Sequence, residues 1–329
     1  MVFIESTSND PRFNLALEQY VFDRMPREND YFILWQNHNT IVVGKHQNTL
    51  EEINPVYVKE HDITVVRRLS GGGAVYHDMG NVNFTFIADA DNLEQLNLQA
   101  FCIPVVRMLN MAGVDAQISG RNDITIYGKK FSGNSQYIKE GRIMHHGTLM
   151  FDSDLSVVAD ALQVKADKYE SKGFKSVKSR VTNIRPYLPQ DMDITKFKQL
   201  LKKNMVRNQE MSVYQLAERD LEQIREIQKD RYDRWDWNYG KSPAFSVEKK
   251  RKIDGVGRLD VYMNVEHGCI QELEIFGDFF GEGATKELKM LLKGCELEEE
   301  KLSAKLRHFD LERCFSHLKT EDFIKMLTN

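Results

Sequence analysis

Three short stretches of this chain place reactive residue types in an order that could do chemistry. The first is Arg67-Arg68-Leu69-Ser70-Gly71-Gly72-Gly73-Ala74-Val75-Tyr76-His77-Asp78. Consecutive glycines let the backbone approach a ligand closely and turn successive N–H groups toward it. The arginine forks upstream can meet a phosphate or carboxylate in bidentate fashion. Such a site suits an anionic ligand with an apolar tail. It is not a P-loop, because no Gly-Lys-Ser/Thr follows, and its glycines lack dinucleotide-fingerprint spacing. Alone, a glycine triplet is more often a flexible turn beside solvated arginines.

The second stretch runs Ser119-Gly120-Arg121-Asn122-Asp123 and then Lys129-Lys130-Phe131-Ser132-Gly133-Asn134. Asp123 could serve a metal or a lysine. Lys130 stands on an alternating strand and could face inward, with Lys129 on the other face. A lone strand lysine is usually an exposed edge residue. The third stretch is Met144-His145-His146-Gly147-Thr148-Leu149-Met150-Phe151. Adjacent histidines on a strand point to opposite faces, so one metal does not easily take both. A structural or hydrogen-bonding role is the expectation for each.

These stretches need a scaffold. Hydrophobic spacing predicts strands at 2–5, 31–35 and 40–43, the last two joined by a turn at Asn37-His38-Asn39, and a helix over 13–25. Further strands are expected at 63–66, 74–76, 82–87, 123–127, 130–132 and 148–151, with a long helix over 93–112. Beyond a polar stretch ending near Pro243, three strands (245–252, 257–265, 269–276) and three helices (284–293, 297–307, 320–328) read as a small α+β unit. Trp235 and Trp237 read as packing residues near that junction.

The chain has 329 residues, enough for about two domains. Lys and Arg number 45 against 49 Asp and Glu, so 45 − 49 = −4, and no strongly basic face for nucleic acid is expected. No apolar run is long enough to span a membrane. The N-terminus lacks signal-peptide features. Cys102, Cys269, Cys295 and Cys314 are scattered without a CxxC pair, which reads as reduced and cytoplasmic.

Taken together and in order, the three stretches resemble the lipoate–protein ligase family. The likeness extends to Phe13-Asn14-Leu15-Ala16-Leu17-Glu18, to Lys172-Gly173-Phe174-Lys175-Ser176-Val177-Lys178-Ser179-Arg180-Val181-Thr182-Asn183 and to Trp235-Asp236-Trp237-Asn238-Tyr239-Gly240 with Pro243-Ala244-Phe245. It covers the first 245 residues well and the remainder mainly by length and composition.

The resemblance implies an α+β fold. A mixed β-sheet catalytic domain of the biotin/lipoate–protein ligase type would occupy 1–245, and a smaller α+β accessory domain 246–329. It implies that lipoate is activated by ATP to lipoyl-AMP with release of pyrophosphate, then passed to a lysine. Acceptors would be lipoyl domains of 2-oxoacid dehydrogenase complexes and the glycine-cleavage H protein. Lys130 is implied as catalytic, lying between the lipoyl carbonyl and the adenylate phosphate. Arg68, Ser70, Gly71, Gly72, Gly73, Ala74, Val75 and Tyr76 would hold the nucleotide and lie along the lipoyl tail. Asn83 and Asp123 are implied as polar contacts to the adenylate or Mg²⁺, with Asp123 the metal ligand. Lys172, Lys178 and Arg180 would belong to a loop that closes over the adenylate and is disordered without it. The enzyme would be a cytoplasmic monomer binding neither nucleic acid nor membrane.

Three rival readings remain. An ATP-independent octanoyl or lipoyl transferase of the same superfamily would need an activated cysteine near these blocks, and none follows Lys130 before Cys269. A biotin ligase would carry a Gly-Arg-Gly type motif that is missing here. A lipoate-binding module without turnover would have no use for Lys130.

Overall fold

The computed structural model describes residues 1–89, 98–120, 122–162, 180–205, 211–239, 247–266, 268–281 and 285–328. The chain forms two compact units. One comprises Met1–Val43, Thr49–Arg68 and Ala74–Tyr239; the other gathers Gly44–Asn48, Leu69–Gly73 and Gly240–Asn329. No helix of the described residues is long and apolar enough to cross a membrane.

The first unit opens with β1 (Val2–Glu5), α1 (Pro11–Arg24), β2 (Tyr31–Trp35) and β3 (Thr40–Val43). Helix α1 starts where Asp10 accepts from Arg12 N and Pro11 sets the first turn. Its far end is held by buried Arg142, which donates to the carbonyls of Phe22, Met25 and Pro26. Next come α2 (Thr49–Glu52), α3 (Pro55–Glu60), β4 (Thr64–Arg67), β5 (Val75–His77), β6 (Asn81–Asp89) and α4 (Leu98–Met111). Then follow β7 (Ala116–Ser119), β8 (Asp123–Ile126), β9 (Lys129–Lys139), β10 (Arg142–Met150), α5 (Leu155–Ala161), α6 (Ile194–Asn204), β11 (Ser212–Val213), α7 (Glu218–Ile227) and α8 (Trp235–Asn238).

Eight strands make one mixed sheet in the order β11-β1-β2-β6-β10-β9-β8-β7, and β4-β3-β5 make a second. The expected turn at 37–39 therefore does not join neighbours. It carries the chain from the large sheet to the small one, with Asn39 at φ 38°. Asn14 of α1 pins this crossing by donating to Gln36 O and Asn37 Oδ1. The edge strands β7 and β11 carry too little apolar pattern to have been expected.

One face of the large sheet packs Phe3, Phe32, Phe84 and Phe86 against Cys102, Val105 and Leu109 of α4 and Phe197 and Leu201 of α6. The two histidines of β10 divide the faces as their adjacency predicts. His145 stacks on Phe101 of α4 at 4.9 Å, whereas His146 meets Glu18 of α1 at 2.9 Å. The chemistry described below lies on the α1 side.

The second unit is an antiparallel meander of β12 (Val247–Ile253), β13 (Gly257–Glu266) and β14 (Cys269–Gly277) with α9 (Thr285–Leu292), α10 (Glu299–Leu306) and α11 (Thr320–Thr328). Its core includes Leu259, Val261, Ile275, Phe279, Leu288, Phe315 and Phe323. Two loops from early in the sequence complete it. Gly277 N donates to His46 O at 2.7 Å, His46 stacks on Phe279 at 4.5 Å, and Lys45 N donates to Ser70 O at 2.8 Å.

Candidate active site

A β-bulge decides where Lys130 points. The β8–β9 register pairs Ile126 with Lys129 and Thr125 with Lys130, then Ile124 with Ser132 and Asp123 with Gly133. Phe131 is the extra residue. In an unbulged strand Lys130 would share a face with Ser132 and Asn134. Asn134 belongs to the α4 side, where its Oδ1 lies 3.3 Å from His145 Nε2. The bulge keeps Phe131 in that core and moves Lys130 to the opposite face. There its ammonium crosses over Gly133, where an added Cβ would lie 3.1 Å from Nζ, and reaches Asp123 Oδ1 at 2.7 Å. The Lys130 carbonyl is fixed from the far side by Thr182 N at 2.9 Å.

The neighbours of this ammonium follow one row across the sheet. Asp123 opposes Gly133, Gly133 N donates to Thr148 Oγ1 at 3.1 Å, and Thr148 opposes Asn83. Asn83 is buried, accepts from Asn81 Nδ2, and places its own Nδ2 3.4 Å from His77 Nδ1. Asn37 Nδ2 lies 3.2 Å from the same ring nitrogen. With both amides donating, Nδ1 accepts and the proton sits on Nε2. That Nε2 is buried and has no hydrogen-bond partner among the described residues. Sequence reasoning passed over His77, whose neighbour in the motif gave no sign of its burial.

Behind the row lies a buried polar chain. Trp35 Nε1 donates to Thr85 Oγ1 at 2.9 Å, Thr85 Oγ1 donates to Glu18 Oε1 at 2.5 Å, and Glu18 also meets His146 Nδ1. Buried Arg68 donates to Val42 O; burial draws its guanidinium down to about 10, opposed by nearby Glu18. Arg67 has a different task. Its guanidinium and amide bind Trp237 O, Thr49 Oγ1 and Asn238 Oδ1, while Trp237 Nε1 returns a bond to Arg67 O. Trp237 is thus a tie to β4, while Trp235 is largely exposed and stacks on Tyr239, a correction to its reading as packed.

The glycine-rich segment is divided. Ser70, Gly71 and Gly72 are buried in the second unit, with Gly72 at φ 89°. Gly73, Ala74 and Val75 are half-buried. The Tyr76 side chain turns into the apolar cluster of Ile41, Val43 and Val65 and donates to Asn39 Oδ1, leaving only its backbone for a ligand. Lys172 and Lys178 lie outside the described residues; Arg180 is half-buried. Among the described residues no group of three or more His, Cys, Asp or Glu could hold a metal ion.

Burial also holds His77 and His145 neutral, each drawn down to about 3 by desolvation first. Unfolded histidine takes up a proton below about 6.5, so both groups withdraw stability as pH falls from there toward 3. Each should contribute a slope of about 1.4 kcal/mol per pH unit in that window. Chemical denaturation between pH 7 and 4.5 should show this slope flattened in His145→Gln relative to wild type.

The three buried cysteines offer no nucleophile. Cys102, Cys295 and Cys314 are buried, and burial pushes the Cys102 and Cys314 thiols up to about 12. A thiol so raised has almost no thiolate at neutral pH. If the ligase activity that the resemblance implies is present, Cys102→Ala should keep full ATP-dependent acyl transfer in a gel-shift assay. Loss of activity in a folded Cys102→Ala protein would instead favour a cysteine-dependent transferase.

Comparison with known proteins places this geometry. The family described as "Lipoyl protein ligase A/B catalytic domain" matches residues 10–206, and "Bacterial lipoate protein ligase C-terminus" matches residues 242–327. The chain is 44% identical to lipoate-protein ligase LplJ of Bacillus subtilis (strain 168), over 99% of its length and all of that protein. It is 41% identical to lipoate–protein ligase 1 of Staphylococcus aureus (strain Mu50), over the whole of both chains. Among solved structures it shares its fold with P. falciparum LipL1 in complex with lipoate (TM-score 0.80, 22% identity, 99% and 98% of the two chains). It also shares the fold of a lipoate-protein ligase A bound with ATP (TM-score 0.63, 22% identity, 73% of this chain and 98% of that one). The class is thus a ligase with a mixed-sheet catalytic region and a small C-terminal sheet domain. The chain belongs to the lipoate–protein ligase family.

Proposed function

We propose that this enzyme activates lipoate with ATP and transfers the lipoyl group to a protein lysine. Lipoate's carboxylate attacks the α-phosphorus and pyrophosphate leaves. The acceptor's ε-amine then attacks the lipoyl carbonyl, and AMP leaves. The observation that carries this reading is the bulge-directed Lys130 ammonium on the Asn83 and His146 face of the sheet, in a chain whose family match extends to residue 327. Negative charge develops on the phosphate in the first step and on the carbonyl oxygen in the second. A fixed ammonium between them stabilises both.

Arg68, the backbone of Ser70 to Tyr76, Asn83 and Arg180 are assigned to the adenylate, with Lys172 and Lys178 in the same role. Asp123, a half-exposed carboxylate that also pairs with Lys130, is the side chain that would hold a Mg²⁺, which would supply charge neutralisation at the phosphates. Residues 1–245 are assigned to catalysis and 246–329 to an accessory role. The acceptors are lipoyl domains of 2-oxoacid dehydrogenase complexes and the glycine-cleavage H protein, met by a cytoplasmic monomer. The test is pyrophosphate release from ATP on addition of free lipoate, followed by a gel shift of an unmodified lipoyl domain. No pyrophosphate with lipoate present would remove the ligase reading.

A further inference from the structure

We propose that Asn183 is a positioning residue for Lys130: its side-chain amide, bonded twice to the backbone of Ser153, sets the segment whose Thr182 N–H holds the Lys130 carbonyl. This rests on the ligase reading above. Val181-Thr182-Asn183 closes one of the stretches that carry the family likeness.

The need for such a residue follows from where Lys130 sits. Strand β9 pairs with β10 from Lys139 to Asn134 and no further. At Gly133 the amide donates to the Thr148 hydroxyl instead of continuing that ladder. On the other side the bulge at Phe131 interrupts the pairing with β8. A bulge bends its strand and leaves one residue unpaired. Without a further partner, Lys130 would be held by its backbone from the β8 side alone. Val181 takes the place of β10 in a parallel bridge to Lys130, and Thr182 N donates to Lys130 O at 2.9 Å.

Asn183 anchors that partner. Its Oδ1 accepts from Ser153 N at 3.0 Å and its Nδ2 donates to Ser153 O at 2.9 Å, so one side chain engages both polar groups of one backbone residue. Ser153 is a firm support. It follows Phe151 and Asp152, whose amides donate to Gly80 O, and precedes Asp154, whose amide donates to Asp78 Oδ2. Past Asn183, Ile184 N and Arg185 N donate to Met150 O and Phe151 O. Those bonds fix the far end of the segment, and the Asn183 pair sets the direction in which the chain runs from it to Lys130. A displacement of about 1 Å at a catalytic group can cost about 100-fold in rate, so this aim matters to the ammonium.

The test measures pyrophosphate release from ATP and lipoate by wild type, Asn183→Ala, Asn183→Asp, Lys130→Ala and the double variant of Lys130→Ala with Asn183→Ala. Acetic anhydride labels the lysines of the same proteins, and mass spectrometry reads Lys130 against exposed Lys129. Asn183→Ala should lower kcat about tenfold and leave KM for ATP and for lipoate nearly unchanged, the mark of an interaction made in the transition state. Its ratio of Lys130 to Lys129 labelling should rise several-fold as the ammonium leaves Asp123. Asn183→Asp keeps the bond from Ser153 N but sets a carboxylate oxygen against Ser153 O. It should show the same kcat loss, and it decides the matter if Asn183→Ala does not fold. In the double variant the Asn183 change should cost nothing beyond the loss from Lys130→Ala, because it acts through that lysine. A further loss there as large as in the single variant would make Asn183 merely structural and overturn the proposal, as would an unchanged kcat in Asn183→Ala. A wild type that releases no pyrophosphate would refute the ligase reading instead, and the labelling ratio would still decide whether Asn183 sets the position of Lys130.

Discussion

Lys130→Ala is expected to lower both pyrophosphate release and acyl transfer by about 10²- to 10³-fold, the usual loss when one preorganised donor is removed. Stability should hardly change. The Lys130–Asp123 pair is more than one-third exposed at each side chain, and pairs so solvated are worth about 1 kcal/mol or less. The thermal midpoint should therefore move by about 3 °C at most. Lys130→Arg should not rescue the activity, because a planar fork cannot occupy the point an ammonium occupies over Gly133. Lys129→Ala supplies the contrast. Lys129 is exposed, pairs with Ile126 and lies on the other face of β9, so its loss should be nearly silent. Near-normal pyrophosphate release by Lys130→Ala would sink the assignment of the first step.

Lys130 also marks how far the sequence could be read. That a lysine before Ser132-Gly133 matters follows from the motif. Which way it points does not, since simple alternation places it with Ser132 and Asn134 against the α4 core. The extra residue that re-aims it, Phe131, looks in sequence like any apolar strand position. Strands with strong β-branched or aromatic runs, such as Tyr31–Trp35 and Thr40–Val43, were legible to the residue because burial on both faces leaves nothing else they could be. Their membership of separate sheets was not, because the crossing depends on Asn14, twenty-two residues before its partner Gln36. Arg67 and Arg68 likewise look interchangeable as neighbours in a motif. Strand alternation separates them, sending one to the backbone of α8 and the other into the buried region beside Glu18.

Each glycine of the triplet should fail for its own reason when replaced by alanine. At Gly71 an added Cβ would lie 2.3 Å from the backbone oxygen of Phe279. Neither atom belongs to a flexible side chain, so the loop or the end of β14 must shift. Forced overpacking of this kind costs about 1–3 kcal/mol. Gly71→Ala should therefore lower the thermal midpoint by several degrees and, by displacing the loop, reduce pyrophosphate release more than tenfold. At Gly72 the obstacle is the backbone itself: a φ of 89° costs an L-residue about 1–2 kcal/mol without any clash. Gly73 has neither problem. No heavy atom lies within 4 Å of an added Cβ, and its φ is not positive. Gly73→Ala should leave the midpoint unchanged or raise it slightly, as loss of unfolded-state freedom is worth up to about 1 kcal/mol. Its effect should appear only with ligand, as a higher KM for ATP, because the open space is where the backbone is assigned to meet the nucleotide. The pair thus separates two roles within three residues. An unchanged midpoint in Gly71→Ala would mean the loop does not rest on Phe279, and an unchanged KM for ATP in Gly73→Ala would take that glycine out of the nucleotide site.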